Sequence, residues 1–129
     1  MTAVDATRRT ELVRQVQRFV ADHPADELPD GLDERFAWLV DYQRQLHGAG
    51  LAVPAWPVEF GGRGLPLAEA IVILEELGNA RSPELINFVA VEVIAPALMA
   101  FADPERLREW LPRMASADEI WCQLFSEPD

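Results

Sequence analysis

The stretch Ser82-Pro83-Glu84-Leu85-Ile86-Asn87-Phe88-Val89-Ala90-Val91-Glu92-Val93-Ile94-Ala95-Pro96-Ala97-Leu98-Met99-Ala100-Phe101-Ala102 decides the fold class. Its first three residues read as a helix start: serine caps, proline is tolerated at the first helical position, and glutamate faces the positive end of the dipole. The residues from Leu85 onward are apolar nearly all round, which predicts a helix at the centre of a bundle. Pro96 removes one intrahelical hydrogen bond and is expected to bend it. Glu92 is the lone carboxylate on this helix. Structural pairs outnumber catalytic ones at such positions, so it is expected to be satisfied at the bundle edge or by a partner domain.

Working outward, Asp103-Pro104-Glu105 repeats the cap-and-proline pattern and launches another helix through Leu107, Trp110 and Leu111 to about Met114. Upstream, Leu67, Ala70, Ile71, Leu74 and Leu77 mark one face of a helix beginning near Pro66 and stopped by Gly78, with Glu69, Glu75 and Glu76 on its solvated side. The segment 51–66 mixes prolines, glycines and aromatics, and predicts a rigid irregular loop pinned by Trp56 and Phe60. Gly61, Gly62 and Gly64 match neither a phosphate loop nor a dinucleotide fingerprint. Before it, Phe36, Leu39, Val40, Gln43 and Leu46 form the inner stripe of a helix capped by Asp30 or Asp33 and ended by Gly48 or Gly50. A proline-rich loop at 23–31 separates it from an amphipathic helix over Thr7 to Asp22, whose apolar positions are Leu12, Val13, Val16, Phe19 and Val20. Five helices and no βαβ unit predict an all-α array.

The ending Trp121-Cys122-Gln123-Leu124-Phe125-Ser126-Glu127-Pro128-Asp129 reads instead as a buried strand running into a Glu-Pro turn. An isolated strand cannot pair its backbone N–H and C=O groups. Residues 1–119 are therefore expected to form a helical domain, and 120–129 the first strand of a β domain absent from these residues.

Composition narrows the function classes. The 129 residues are half hydrophobic, enough for a real core, and the formal charge of −11 opposes nonspecific attraction to nucleic acid or anionic lipid. No apolar run reaches the ~20 residues of a membrane span. The amino terminus carries an early acid and no apolar signal core, and the single Cys122 suits a reducing compartment, so a cytoplasmic protein is expected. His23 and His47 belong to no metal-ligand spacing, which predicts no metal site. Cys122, in an apolar run without a neighbouring base, reads as a buried thiol.

Resemblance adds what composition does not. The string from Trp121 to Pro128 resembles the signature of the acyl-CoA dehydrogenase family, in which an apolar strand runs through Ser/Thr-Glu-Pro into a glycine-rich turn. Leu51-Ala52-Val53-Pro54-Ala55-Trp56-Pro57-Val58-Glu59-Phe60-Gly61-Gly62-Arg63-Gly64-Leu65 is similar to that family's loop between its second and third helices. Leu74-Glu75-Glu76-Leu77-Gly78, and Ala102-Asp103-Pro104-Glu105-Arg106 through Trp110-Leu111-Pro112, fall in the family's order.

The resemblance implies the five-helix N-terminal domain of a three-part subunit, followed by the first strand of the middle β domain. It also implies a homo- or hetero-tetramer and FAD as cofactor. The family reaction is α,β-dehydrogenation of an acyl-CoA thioester, with electrons passed to an electron-transfer flavoprotein. Related flavin oxidases, monooxygenases and silent partner subunits share the scaffold, and function belongs to the site rather than the fold. A free-standing helical interaction module is the rival of a different class. By motif match, Gln123, Phe125 and Ser126 are assigned to the flavin edge. In strand register Gln123 and Phe125 point together, and Ser126 would serve through its backbone N–H or where the strand turns. The helix from Ser82 to Ala102 matches the one closing the far end of the acyl pocket, so Leu85, Ile86, Val89 and Val93 are expected to line it. The catalytic glutamate belongs to the family's C-terminal domain, and no catalytic residue is assigned here.

Overall fold

The computed structural model describes residues 3–25, 28–124 and 126. Among them are five α-helices: α1 (Ala6–Asp22), α2 (Leu32–Gly48), α3 (Leu67–Asn79), α4 (Ala95–Phe101) and α5 (Pro104–Ser116). A 3₁₀ turn at Val58–Phe60 precedes α3, and a π-helical stretch at Ala90–Ile94 leads into α4. The described residues contain no strand.

α1 opens on Asp5, whose Oδ1 accepts a hydrogen bond from the Arg8 backbone N–H at 3.0 Å. It buries Leu12, Val16 and Phe19 against Ile73 and Leu77 of α3 and Tyr42 and Leu46 of α2. Outside this core the expected solvated glutamates of α3 have partners on α1: Arg8 donates to Glu69 at 2.9 Å, Arg9 to Glu75 at 3.2 Å and Gln17 to Glu76 at 3.0 Å. A second core joins Phe60 of the 3₁₀ turn to Leu107, Leu111 and Met114 of α5. Trp56 packs against this core and against the small cluster of Val53, Val91 and Ala115. The loop 51–66 is thus pinned by Trp56 and Phe60, as its composition predicts.

Four local features differ from expectation. The buried face of α3 is Ala70, Val72, Ile73 and Leu77, because Val72, Ile73 and Leu77 join the α1 residues in the core, and Leu67 and Leu74 of the expected face are exposed. Neither Asp30 nor Asp33 caps α2. Gly31 occupies the cap position, while Asp33 and Glu34 sit in the first turn, where their charge meets the dipole directly. Gly78 does not stop α3, which continues to Asn79, and the left-handed conformation is taken by Arg81 at φ 54°. The largest difference lies at 82–87, which is not helical. The Ser82 backbone N–H bonds the Leu77 carbonyl at 3.0 Å and its hydroxyl pairs with the Tyr42 hydroxyl at 2.7 Å, so the expected cap is engaged elsewhere.

Helical backbone begins at Phe88 and widens at once. The Ala95 N–H reaches back five residues to the Ala90 carbonyl. A regular α-turn would press the Pro96 ring on the carbonyl of residue 92 and offer it no donor, and a π-turn relieves both. The helix is not at the centre of a bundle. It buries Ala90, Val91 and Ala95, whereas Phe88, Val89, Val93 and Phe101 are exposed.

Candidate functional site

An apolar cleft of about 170 Å³ opens between α3 and the segment that leads into the π-turn. Leu46, Leu51, Leu74, Leu77, Leu85 and Phe88 form its walls. Ser82, Glu84 and Glu92 bring polar groups to it. The non-helical course of 82–87 makes this opening, because it carries Leu85 onto the core while leaving Phe88 half exposed. Of the residues expected to line an acyl pocket, Leu85 is in the cleft. Ile86 is partly buried outside its lining, and Val89 and Val93 are exposed at 40% and 45%. Phe88 and Glu92 take part instead. Leu85 reaches the cleft from the non-helical segment, and Phe88 and Glu92 from the helical turn and π-stretch that follow it, so the lining is not one face of a continuous helix.

Behind the cleft lies the one buried amide pair among the described residues. Gln43 of α2 donates through Nε2 to the carbonyls of Met114 (3.2 Å) and Ala115 (3.0 Å), and its Oε1 accepts from the Asn87 backbone N–H at 3.0 Å. Asn87 donates through Nδ2 to the carbonyls of Met114 (2.9 Å) and Glu119 (2.8 Å). Its Oδ1 accepts from the Trp121 backbone N–H at 3.1 Å. Every amide donor is used, as burial of such groups requires. The sequence pattern puts Gln43 on an inner stripe and carries no signal for Asn87.

The segment from Ile120 to Leu124 leaves this pair without forming a helix or strand and without a ladder partner among the described residues. Trp121 is docked, with its ring 5.5 Å from that of Trp110 and its Nε1 donating to Glu119 Oε2 at 3.1 Å. Beyond it the chain stands off the helical body. Cys122 is exposed rather than buried, because only Trp121 reaches back to a core. The side chain of Gln123 is exposed and offers both a donor and an acceptor, the chemistry that a flavin pyrimidine edge calls for. Ser126 is exposed, and Phe125 lies outside the described residues.

Glu119 is held below the usual carboxylate range, chiefly by the hydrogen bond from Arg113 at 2.8 Å and then by the Trp121 indole. Because its folded pKa is depressed, the contact is fully present above the unfolded value and is lost as pH falls through the folded one. The Trp121 indole N–H signal is therefore expected to move in NMR on acidification, with a midpoint below the ordinary glutamate range. In Glu119→Gln this step should vanish, and its persistence would assign the titration to another group.

No group of acidic, histidine or cysteine side chains among the described residues is arranged to hold a metal ion, and no described helix is long and apolar enough to cross a membrane.

Residues 7–118 match the sequence model of the family described as "Acyl-CoA dehydrogenase, N-terminal domain". The chain is 35% identical over 130 residues to acyl-CoA dehydrogenase IpdE1 of Mycobacterium tuberculosis, covering 92% of this chain and 33% of that protein. It is 37% identical over 100 residues to IpdE1 of Mycolicibacterium smegmatis, covering 78% of this chain and 24% of the relative. The chain thus spans a third or less of the length of these relatives. The crystal structure of the ChsE4-ChsE5 complex from Mycobacterium tuberculosis has the same fold, with a TM-score of 0.66, 24% identity, and coverage of 92% of this chain and 30% of the other. With five helices in the family's order and a match over most of its length, this chain belongs to the acyl-CoA dehydrogenase family and carries its N-terminal helical domain.

Proposed function

We propose that the chain forms the substrate-side helical part of an FAD-dependent enzyme that introduces an α,β double bond into an acyl-CoA thioester. The observation that supports it most is the apolar cleft walled by Leu74, Leu77, Leu85 and Phe88 within the family-matched residues. At about 170 Å³ it is smaller than the roughly 300–1,000 Å³ of a pocket for a whole drug-sized ligand, and suits the end of an acyl chain rather than the thioester. Burying that tail contributes about 0.8 kcal/mol per methylene and excludes water from the chain.

Gln123 and Ser126, with Phe125, are the residues of this chain proposed to meet the flavin edge. Gln123 suits the role because its amide is exposed and can both donate and accept. Bound FAD supplies the two-electron acceptor, and an electron-transfer flavoprotein is the proposed onward partner. The proton-abstracting carboxylate is assigned to a C-terminal domain of the proposed enzyme, which acts as a homo- or hetero-tetramer. A cytoplasmic site is part of the same proposal.

The test uses the complete flavoenzyme that this function calls for. It is expected to be yellow and to reduce an electron-acceptor dye when given an acyl-CoA. Phe88→Trp, which fills the cleft, is expected to lower kcat/KM for long acyl chains at least about tenfold while sparing short ones. A colourless protein that takes up no FAD would reject the proposal. An unchanged chain-length profile in Phe88→Trp would remove the cleft from the acyl site.

A further inference from the structure

We propose that Asn87 is a positioning residue, which fixes the 119–124 segment relative to the acyl cleft and so sets the placement of Gln123 at the flavin edge. This rests on the flavin role proposed for Gln123 and adds a residue that the role does not itself require.

Asn87 is 1% exposed, and a buried primary amide costs free energy unless its donors and acceptor are all used. Here all are used, and on backbone. One Nδ2 hydrogen goes to the Met114 carbonyl in the last turn of α5, the other goes to the Glu119 carbonyl, and Oδ1 takes the Trp121 N–H. The two latter bonds straddle Ile120. One side chain therefore holds the chain on both sides of the residue where it leaves the helical body.

Asn87 is itself immobilised. Its backbone N–H is bonded to Gln43, whose own amide is anchored on Met114 and Ala115. Glu119 is also held by Arg113, through its carboxylate at 2.8 Å and its backbone N–H at 3.2 Å, but beyond it the segment has little other support. Trp121 packs on Trp110, while Ile120 and Leu124 are exposed. Gln123 follows Trp121 by two residues, about 7 Å in extended chain, so an error in direction at Trp121 passes directly to it.

The other end of the lever is the cleft. Asn87 immediately precedes Phe88 and follows Leu85 by two, and both of those line the acyl cleft. A single rigid residue thus joins the wall of the substrate cleft to the start of the flavin-edge segment. Misplacement by about 1 Å is costly wherever two reacting groups must be aligned, and a fully satisfied buried amide is the kind of support such alignment needs.

The experiment compares Asn87→Ala with Ile73→Ala in the FAD-loaded enzyme. Ile73 is fully buried in the α1–α3 core and lines neither the cleft nor the terminal segment, so it reports general destabilisation. Three readouts are taken: hydrogen exchange of the Trp121 amide, the FAD dissociation constant, and the visible spectrum of bound flavin. Asn87→Ala is expected to speed Trp121 exchange and raise the dissociation constant, each about tenfold, and to shift the flavin bands. Ile73→Ala is expected to lose stability while keeping the wild-type affinity and bands. Asn87→Ser, which keeps one hydroxyl, is the milder variant should the alanine protein not fold, and is read the same way. If wild type binds FAD and the Asn87 variants bind it equally with an unchanged spectrum, this inference is overturned and the flavin assignment stands. The same holds if Ile73→Ala matches them on all three readouts. A wild-type enzyme that takes up no FAD overturns both.

Discussion

Replacing Gly62 by alanine is expected to destabilise the protein by about 3 kcal/mol or more, the upper range for forcing extra volume into a packed site. An added Cβ would fall on the carbonyl group of Trp56, so the obstacle is main chain rather than a flexible side-chain end. That carbonyl has no cheap way to move. It accepts the Gly64 N–H at 2.8 Å, while the Gly62 N–H bonds Pro57 and the Leu65 N–H bonds Pro54, each at 3.1 Å. Shifting the Trp56 carbonyl also shifts its ring, which packs against the cluster of Phe60 and against that of Val53. The neighbouring glycine is less crowded but strained in its backbone: a Cβ on Gly61 would stand 3.1 Å from His47 Nε2 and 3.2 Å from the Pro112 Cα, at a φ of 93° that alanine rarely adopts. Gly78→Ala is the contrasting change. Nothing lies within 4 Å of its added Cβ, and the position is exposed and helical. It should stabilise by about 0.5–1 kcal/mol, because alanine loses less backbone entropy than glycine in a helix. Urea denaturation of both variants checks the pair. A Gly62→Ala protein within about 1 kcal/mol of wild type would show that the loop is not a rigid brace.

Much of this fold is legible from periodicity. α1 and α5 present apolar residues at helical spacing, and their cores follow from it; α3 is helical as expected but buries Val72 and Ile73 with Ala70 and Leu77, while Leu67 and Leu74 of its expected face are exposed. The largest error comes from competition by a distant residue. Ser82-Pro83-Glu84 has the local grammar of a helix start, yet the Ser82 hydroxyl meets Tyr42, which lies 40 residues away in sequence. Nothing in the neighbourhood of residue 82 announces that partner. The same displacement explains the cleft. With 82–87 out of helical register and a π-turn from Ala90, the lining becomes Leu85, Phe88 and Glu92. Read as one unbroken apolar helix, the segment offers Val89 and Val93 beside Leu85 and gives no reason to prefer Phe88 and Glu92. Phe36 shows the reverse case, since its position in the α2 stripe suggests burial and it is half exposed. Gln43 occupies an inner position in the sequence pattern, but its partners lie 44, 71 and 72 residues on. Its role emerges only when α2 and α5 are brought together.

Gln43→Leu is expected to cost about 3 kcal/mol, although it puts an apolar side chain into a fully buried site. On hydrophobicity alone the exchange would be favourable. What decides the sign is the set of groups left behind. Gln43 serves the Ala115 carbonyl at 3.0 Å, shares the Met114 carbonyl with Asn87, and accepts the Asn87 N–H at 3.0 Å. Leucine leaves the Ala115 carbonyl and the Asn87 N–H without this partner, and each buried group so stranded costs about 1–3 kcal/mol. The Met114 carbonyl is protected, because Asn87 Nδ2 still reaches it at 2.9 Å. That shared acceptor makes the two amides interdependent. Removing either one alone leaves Met114 a side-chain donor, whereas removing both leaves it only the long bond from the Ala117 N–H at 3.3 Å. The double variant Gln43→Leu with Asn87→Ala should therefore lose more than the sum of the single losses, with a coupling of about 0.5–3 kcal/mol. Denaturation of the two single variants and the double variant measures it. A single Gln43→Leu loss below about 1 kcal/mol, or strict additivity in the cycle, would show that the amides act as separate bonds and not as one clamp between α2, α5 and the segment that begins at Glu119.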